Sequence, residues 1–207
     1  SKNRGTSWTT QSAAGVRNWS SIAMSSDGSR LVASVNPGQI YTSADGGSTW
    51  VANATSSSWT AVGSSQDGTN LVAAINGGLI YTSADAGANW TAHGANNAWK
   101  SVTTSTDGQR LAAVVANGKI YTSDDAGTTW TARDQNRNWD DIVANGDGTR
   151  LATAVNGGFI YTLNRSFASY LVDQTTGIVQ DQNGHYLSSG VNTNLAKVGN
   201  VFPLRLI

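Results

Sequence analysis

The feature that most constrains this chain is an eleven-residue stretch that occurs three times at a spacing of forty residues. It reads IYTSADGGSTW at 40–50, IYTSADAGANW at 80–90 and IYTSDDAGTTW at 120–130. Self-similarity at a fixed period is the signature of an architecture that repeats one supersecondary unit. Two tryptophan series keep the same period of forty, namely Trp19, Trp59, Trp99 and Trp139, and Trp50, Trp90 and Trp130. The sequence therefore predicts a repeat protein.

Each unit divides into four short segments separated by turns, as residues 59–98 illustrate. The segments read WTAVGSS, NLVAAI, LIYTS and NWTAHG, and the turns between them contain Asp67-Gly68, Asn76-Gly77-Gly78 and Asp85 with Gly87. Asp-Gly and Asn-Gly are strong hairpin signals because both supply positive φ angles at little cost. The chain contains no Glu and only four Lys, so the usual residues of helix surfaces are scarce. We therefore predict an all-β chain made of four-stranded antiparallel β-propeller blades.

The length and the two ends predict a single domain, 1–207, that forms a five-bladed β-propeller. Residues 1–8 align with the end of a unit, so 1–18 would supply an outer strand, and 188–207 loosely follow 64–83. Pairing of the N- and C-terminal strands would close the ring and remove exposed sheet edges. The predicted boundaries are 19–58, 59–98 and 99–138 for regular blades, 139–177 for a degenerate blade, and 178–207 for a divergent fifth blade or a docking arm.

The loop between the third and fourth strands resembles the Asp-box, also called the bacterial neuraminidase repeat, with the pattern Ser-x-Asp-x-Gly-x-Thr-Trp. In that family the motif is a structural hairpin on the rim of a propeller blade, remote from the active centre. The resemblance implies that these residues fold the blades and are not catalytic. The three copies are Ser43, Asp45, Gly47, Thr49 and Trp50; Ser83, Asp85, Gly87, Asn89 and Trp90; and Ser123, Asp125, Gly127, Thr129 and Trp130.

The resemblance does not extend to sialidase catalysis. That family requires an arginine triad, a Tyr nucleophile activated by Glu and an Asp acid, and this chain has no Glu. The histidines His93 and His185 have no metal-ligand partner at i+2 or i+4. The adjacent carboxylates of 124–125 and 140–141 would point to opposite faces of a strand, unlike a glycosidase pair. We therefore expect a non-sialidase member of the family that is not an enzyme, with no catalytic residue.

Composition excludes several further classes of partner. Thirteen Lys and Arg balance thirteen acidic residues, so no global field favours nucleic acid. No apolar run approaches the length of a membrane span, which predicts no membrane insertion. Cysteine is absent, so the chain has no disulfide and no thiolate metal site. We expect no cofactor and no bound metal.

The first-strand tryptophans are the candidate ligand-binding residues. Trp19, Trp59, Trp99 and Trp139 each follow a polar connection that a propeller places on the face opposite the Asp-boxes. An indole ring beside directed polar groups suits a sugar ring. Asn97 and Arg137, two positions before Trp99 and Trp139, are the candidate polar partners. The alternative is that these tryptophans pack between blades as core, and the repetition is compatible with both interpretations.

The predicted function is therefore a non-catalytic binding module for glycans, with lectin-like sites between neighbouring blades. The alternative is a structural or assembly subunit of a surface, virion or complex that binds another protein through the propeller face. Residues 165–207 break the repeat, so they are a candidate docking surface for a protein or for a homo-oligomer. The Ser-, Thr- and Asn-rich, Lys-poor composition favours an extracellular location or one on a cell or virion surface.

Overall fold

The computed structural model of the chain describes residues 6–164, 171–172 and 179–180. Within the first part, strands β1 to β13 follow a short 3-10 turn at Ser12–Ala14. The first sheet contains, in spatial order, β1 (Trp19–Met24), β2 (Leu31–Val35), β3 (Gly38–Ser43) and β4 (Val51–Ser57). A six-stranded sheet contains β5 (Trp59–Ser64), β6 (Leu71–Ser83), β7 (Thr91–Thr104), β8 (Leu111–Val115), β9 (Gly118–Ser123) and β10 (Thr131–Arg137). A third sheet contains β11 (Trp139–Ala144), β12 (Arg150–Val155) and β13 (Ile160–Asn164).

The chain divides into two compact units, Ser1–Arg165 and Ser166–Ile207. In the second unit, β14 (Leu171–Val172) pairs antiparallel with β15 (Val179–Gln180).

The six-stranded sheet joins the second and third blades because β6 and β7 each run through two blade positions. The start of β6 pairs with β5, its end pairs with β7, and the end of β7 pairs with β8. The turn predicted at Asn76-Gly77-Gly78 lies inside β6, where Gly77 has a φ of 76° and the register shifts around Gly78. The backbone therefore bends at the predicted residues, although the strand continues through them. The predicted boundary between residues 98 and 99 likewise lies inside β7.

Successive blades pack face to face through three buried apolar clusters. In each cluster the first-strand tryptophan of one blade packs with aliphatic side chains of the preceding blade. The second strands are apolar almost throughout because they are buried on both faces, and Val72, Ala73 and Ala74 are fully buried. The clusters contain Trp59 with Val32 and Ile40, Trp99 with Val72 and Ile80, and Trp139 with Val114 and Ile120.

Backbone hydrogen bonds also connect the first turns of neighbouring blades. Ser26 N donates to Gln66 O at 2.8 Å, Gln66 N to Thr106 O at 2.8 Å, and Thr106 N to Gly146 O at 2.7 Å. The same bond therefore recurs at each of the three junctions. This ladder fixes the relative position of the four blades at one end of their strands.

The prediction of an all-β fold with antiparallel sheets is confirmed. Residues 1–5, 165–170, 173–178 and 181–207 lie outside the described residues, and most of the predicted fifth blade falls among them. Residues 6–18 of the predicted closing outer strand are described, and they contain the 3-10 turn at Ser12–Ala14 and no strand. The five-blade count, the closed ring and the domain boundaries stay predictions. In the described part of the chain, no helix has the length and apolar character needed to cross a membrane.

Candidate binding surface

Strand pairing fixes which connections share an end of each blade. In the first blade, Trp19 lies opposite Val35 at one end and Met24 lies opposite Leu31 at the other. The second end carries the first turn and the loop that resembles the Asp-box, and we call it the Asp face. The first end carries the starts of the tryptophan-bearing strands, and we call it the loop face. The loop face is defined by residues 16–18, 36–37, 58, 76–77, 95–98, 116–117, 134–138 and 156–158.

Three of the four candidate tryptophans are core residues. Trp59, Trp99 and Trp139 are at most 2% exposed. Each ring makes an edge contact with a tyrosine of the third strand of its own blade, with centroid distances of 5.1 to 5.3 Å. Their positions correspond to the alternative in which the rings pack between blades. A ligand cannot stack on these rings unless the blades separate, so ligand contact by them stays a prediction.

Trp19 differs from the other three because its side chain is 37% exposed. It contacts Tyr41 edge-on at 5.5 Å and lies 6.1 Å from the Trp50 ring. The guanidinium carbon of exposed Arg17 lies 4.5 Å from the Tyr41 centroid and 5.9 Å from the Trp19 centroid. The first blade therefore presents an accessible cation beside two aromatic rings on the loop face.

The fourth blade repeats this arrangement around Arg137. Its guanidinium carbon lies 4.6 Å from the Tyr161 centroid and 5.6 Å from the Trp139 centroid. Asp134 Oδ1 lies 3.7 Å from Arg137 Nη2, which is beyond hydrogen-bond distance. The positions of Arg17 and Arg137 are occupied by Ser57 and Asn97 in the two middle blades. The loop face is therefore chemically different from blade to blade.

The predicted polar partner Asn97 is exposed on the loop face. Its side-chain amide donates to Ala95 O at 3.4 Å, a long and local bond. Its backbone lies opposite Gly78 in the pairing of β6 with β7. The structure thus places Asn97 near Trp99 in sequence and on the same face, but gives it no contact with the buried indole.

Two buried donors, one at the end of β10 in the third blade and one at the start of β11 in the fourth, have no hydrogen-bond partner in the described structure. These atoms are Arg137 Nε and Trp139 Nε1. The equivalent indoles are satisfied by the chain itself, since Trp59 Nε1 donates to Thr55 O at 3.2 Å and Trp99 Nε1 donates to Gly78 O at 2.9 Å. A buried donor without an acceptor costs about 1–3 kcal/mol. The described structure therefore leaves two adjacent buried donors without an acceptor oxygen, a feature that the sequence did not reveal.

On the Asp face, the three loops that resemble the Asp-box have the same hydrogen bonds. In the first loop, Ser43 Oγ donates to Asp45 Oδ1 at 2.8 Å and accepts from Gly47 N at 2.9 Å. Thr49 donates to Asp45 through its backbone N at 2.8 Å and through its hydroxyl at 2.6 Å. The indole of Trp50 donates to Gly47 O at 3.0 Å. These bonds engage the polar atoms of the motif within the loop itself, so the motif residues have a structural role.

The same bonds lower the pKa values of the loop aspartates. The pKa of Asp45 and that of Asp125 fall to about 2, chiefly because a threonine hydroxyl four residues on donates to each carboxylate. The pKa of Asp85 falls to about 2, chiefly through the backbone N–H of Asn89. These carboxylates are ionised at neutral pH and serve as hydrogen-bond acceptors. A catalytic acid needs a raised pKa, so their chemistry is unsuited to acid catalysis.

The predicted Asp-Gly first turns form a second set of aspartate loops, whose side-chain hydrogen bonds were not anticipated from the sequence. The first turn of each blade places an aspartate two residues after a serine or asparagine. In the first blade, Ser25 Oγ donates to Asp27 Oδ1 at 2.6 Å and accepts from Arg30 N at 2.9 Å. The pKa of Asp27 and that of Asp67 fall to about 2, chiefly through the hydroxyls of Ser25 and Ser65. The signal was present in the sequence as Ser-x-Asp at 25–27, 65–67 and 105–107.

In the described residues, no three His, Asp or other ligating side chains form a group that could hold a metal ion. His93 Nε2 lies 2.8 Å from the hydroxyl of Thr82 on the neighbouring strand. Asp140 pairs with Lys100 at 3.4 Å, whereas Asp141 Oδ1 accepts from Ser101 Oγ at 2.6 Å. Asp141 lines a cavity of about 330 Å³ between the first strands of the blades. The two adjacent carboxylates therefore have different partners and do not act as a pair.

Comparison with solved structures identifies the architecture. YCF48 from Cyanidioschyzon merolae is 19% identical with a TM-score of 0.58, and the match covers 75% of this chain and 55% of that chain. YCF48 bound to a D1 peptide is 15% identical with a TM-score of 0.50, and the match covers 70% of this chain and 64% of that chain. Both are β-propeller proteins. The chain has a β-propeller fold.

A GH74 enzyme of Niastella koreensis is also a propeller, and it is 20% identical with a TM-score of 0.50. This match covers 70% of the present chain but only 22% of the enzyme. The chain thus spans less than two thirds of each of these three structures, and at such identities the likeness shows the fold alone. No protein-family model matches the sequence, and no curated protein matches it. The Asp-box resemblance rests on the motif residues themselves.

Proposed function

We propose that this propeller is a non-catalytic binding module that binds a polypeptide partner through its loop face. The observation that carries the proposal is the cluster of Arg17, Trp19 and Tyr41, where an exposed cation lies on aromatic rings. Arg, Trp and Tyr are the residues most enriched among the hot spots of protein interfaces. A related contact recurs where Arg137, which is 23% exposed, lies 4.6 Å from the Tyr161 centroid, so the surface offers a second cationic position beside a buried Trp139.

The fold neighbours support this choice without deciding it. The YCF48 structure with a bound D1 peptide is an example of a propeller that binds a polypeptide. In the present chain, the Asp-face carboxylates are already engaged within their own loops. The loop face is therefore the better candidate for a partner.

Glycan binding is the second candidate, and the partly exposed ring of Trp19 favours it. A sugar could lie on this ring with Arg17 as a donor at its edge. The repeated lectin-like sites predicted at Trp59, Trp99 and Trp139 receive no such support, because those rings are buried. A glycan site would therefore be single and would lie on the first blade.

A paired screen distinguishes the two candidates. The full chain is applied to a glycan array and to a displayed library of random peptides, and binders are remeasured with the Trp19→Ala and Arg17→Ala variants. We expect peptide binders whose affinity falls at least about tenfold in both variants. The control is Thr131→Ala, an exposed residue of an outer strand. If binders were found only on the glycan array, glycan binding would replace peptide binding as the proposed function. Binding that neither variant changes would refute the loop-face cluster as the binding site.

A further inference from the structure

The fourth blade differs from the second and third in one measurable way: its buried indole lacks an acceptor. Trp59 and Trp99 donate to carbonyl oxygens of their own chain, while Trp139 Nε1 donates to none in the described structure. The Trp139 ring is completely buried, so bulk water does not solvate this N–H. The described part of the chain therefore leaves this buried donor without an acceptor.

The guanidinium of Arg137 lies next to this indole. Arg137 Nε is also buried and unpartnered, and the guanidinium carbon is 5.6 Å from the Trp139 centroid. The guanidinium carbon lies 4.6 Å from the Tyr161 centroid, and Nε is the guanidinium N–H that is buried without a partner. The Arg137 side chain is 23% exposed, so the cluster opens to solvent beside the guanidinium.

The charge of this cluster selects the class of ligand. Arg137 is always cationic, and its ion pair with Asp134, 3.7 Å from Nη2 to Oδ1, is too long for a hydrogen bond and engages neither Arg137 Nε nor the Trp139 N–H. An anionic oxygen can accept from a guanidinium and from an indole at once, and charge-assisted bonds are about twice as strong as neutral ones. A planar carboxylate also matches the fork of a guanidinium edge.

We propose that Arg137 and Trp139 form a carboxylate-binding site on the loop face. One carboxylate oxygen accepts from Arg137 Nε and from the Trp139 N–H. Because both atoms are buried, the carboxylate reaches them after the partly exposed Arg137 side chain shifts from its position in this structure. This inference rests on the proposed polypeptide-binding function, for which it names the recognised group: an acidic side chain or a C-terminal carboxylate of the partner. The middle blades cannot form the same site because Ser57 and Asn97 replace the arginine and their indoles are already satisfied.

The test uses sodium acetate as the probe and the full-length chain labelled with nitrogen-15. The indole N–H resonance of Trp139 is assigned with Trp139→Phe and followed during titration, with sodium chloride keeping the ionic strength constant. We expect a saturable downfield shift of this resonance, with a dissociation constant on the order of 10 mM for so small a probe. The resonances of Trp59 and Trp99 should not move, because their donors are already bonded.

Arg137→Lys is the decisive variant because it keeps the positive charge and removes Nε and the planar fork. Acetate affinity should fall at least about tenfold, and the unchanged dispersion of the other indole resonances shows that the variant is folded. The matched control is Arg17→Lys, which changes the equivalent residue of the first blade. A Trp139 resonance that does not move with acetate, or that moves equally in Arg137→Lys, would overturn the site.

Two further probes separate the sources of the carboxylate. N-acetylalanine presents a C-terminal carboxylate, and N-acetylaspartate N-methylamide with its C-terminus blocked presents a side-chain carboxylate. Whichever of the two probes binds more tightly identifies whether the site recognises a C-terminal carboxylate or a side-chain carboxylate of a partner. Acetate binding without any peptide binder in the library screen would leave the site standing and refute the proposed polypeptide function. A peptide binder whose affinity is unchanged in Arg137→Lys would support the polypeptide-binding function and refute the carboxylate site as the group that recognises the peptide.

Discussion

The junctions between blades and the two ends of the blade array contain the same residue types in opposite surroundings. Ile40, Ile80 and Ile120 are at most 7% exposed at the junctions, whereas Ile160 at the equivalent position of the fourth blade is 70% exposed. At the other end, Ile22 is 62% exposed, while its counterparts Val62, Val102 and Ile142 are at most 6% exposed. Strand position and residue type are therefore not enough to bury a side chain. A neighbouring blade is also required.

The polar contacts show the same contrast. At each junction the backbone N of one first turn donates to the carbonyl of the next. Within the described residues, Gly146 N at one end and the Ser26 carbonyl at the other have no counterpart of this bond. One end of the blade array thus presents the donor N–H, and the other end presents the acceptor carbonyl, of a hydrogen bond that forms at each of the three junctions.

The largest expected effect is at a junction. Trp99→Ala removes a fully buried indole from the cluster of Val72 and Ile80, so the free energy of unfolding should fall by about 3–5 kcal/mol. Trp19→Ala, at the exposed end, should cost about 1–2 kcal/mol because less surface is buried there. Urea unfolding at constant m-value measures both losses. Equal losses would mean that Trp19 is buried in solution.

The second prediction concerns the exposed end of the fourth blade. If residues 178–207 supply a fifth blade, Ile160→Cys should react with a maleimide at least about tenfold more slowly than Val51→Cys, an exposed reference. Ile40→Cys is the buried reference, and the chain has no cysteine of its own.

Light scattering at the labelling concentration completes this test. Protection in a monomer supports five blades, and protection that appears only with a dimer mass supports a docking arm between subunits. Reaction of Ile160→Cys as fast as Val51→Cys would show that the array ends open at the fourth blade.

The smallest effect concerns the aspartate loops, which differ from the junctions by being polar and local. The folded pKa values of Asp27, Asp45, Asp67, Asp85 and Asp125 are about 2, below the value of about 3.9 for an unfolded chain. The unfolded state therefore binds more protons in this range, and the stabilisation present above pH 4 is lost as the pH falls toward 2. The melting temperature should fall over this interval and be level between pH 5 and pH 7.

Asp85→Asn is the matched variant for this prediction. It keeps the size of the side chain but removes the titrating group, so the melting temperature at pH 7 should drop slightly and its fall between pH 4 and pH 2 should be shallower. Any affinity of the loop face for a partner should be unchanged, because Asp85 lies on the opposite face. An altered affinity in a folded Asp85→Asn protein would show that the functional face has been assigned wrongly.

The sequence was sufficient for the parts of the fold that depend on near neighbours. The Asp-Gly turns, the all-β class and the strand order within a blade followed from periodicity and turn residues. The loop of Ser43, Asp45 and Gly47 was readable because its hydrogen bonds span only two to four residues. The related bonds of Asp27 were equally readable, since they also span two residues, and were missed because the motif is shorter.

Only the tertiary structure decided the roles of the tryptophans and arginines. The same series contains one partly exposed ring and three buried ones because burial depends on the blade packed alongside, forty residues away in the chain. The acceptor of a buried indole is four residues away for Trp59 and twenty-one for Trp99, and it is missing for Trp139. Local hydrogen bonds are encoded within a few residues, so the sequence by itself determined the repeated blade. Burial and the satisfaction of buried donors depend on distant segments, so the distinction between core and site was decided in three dimensions.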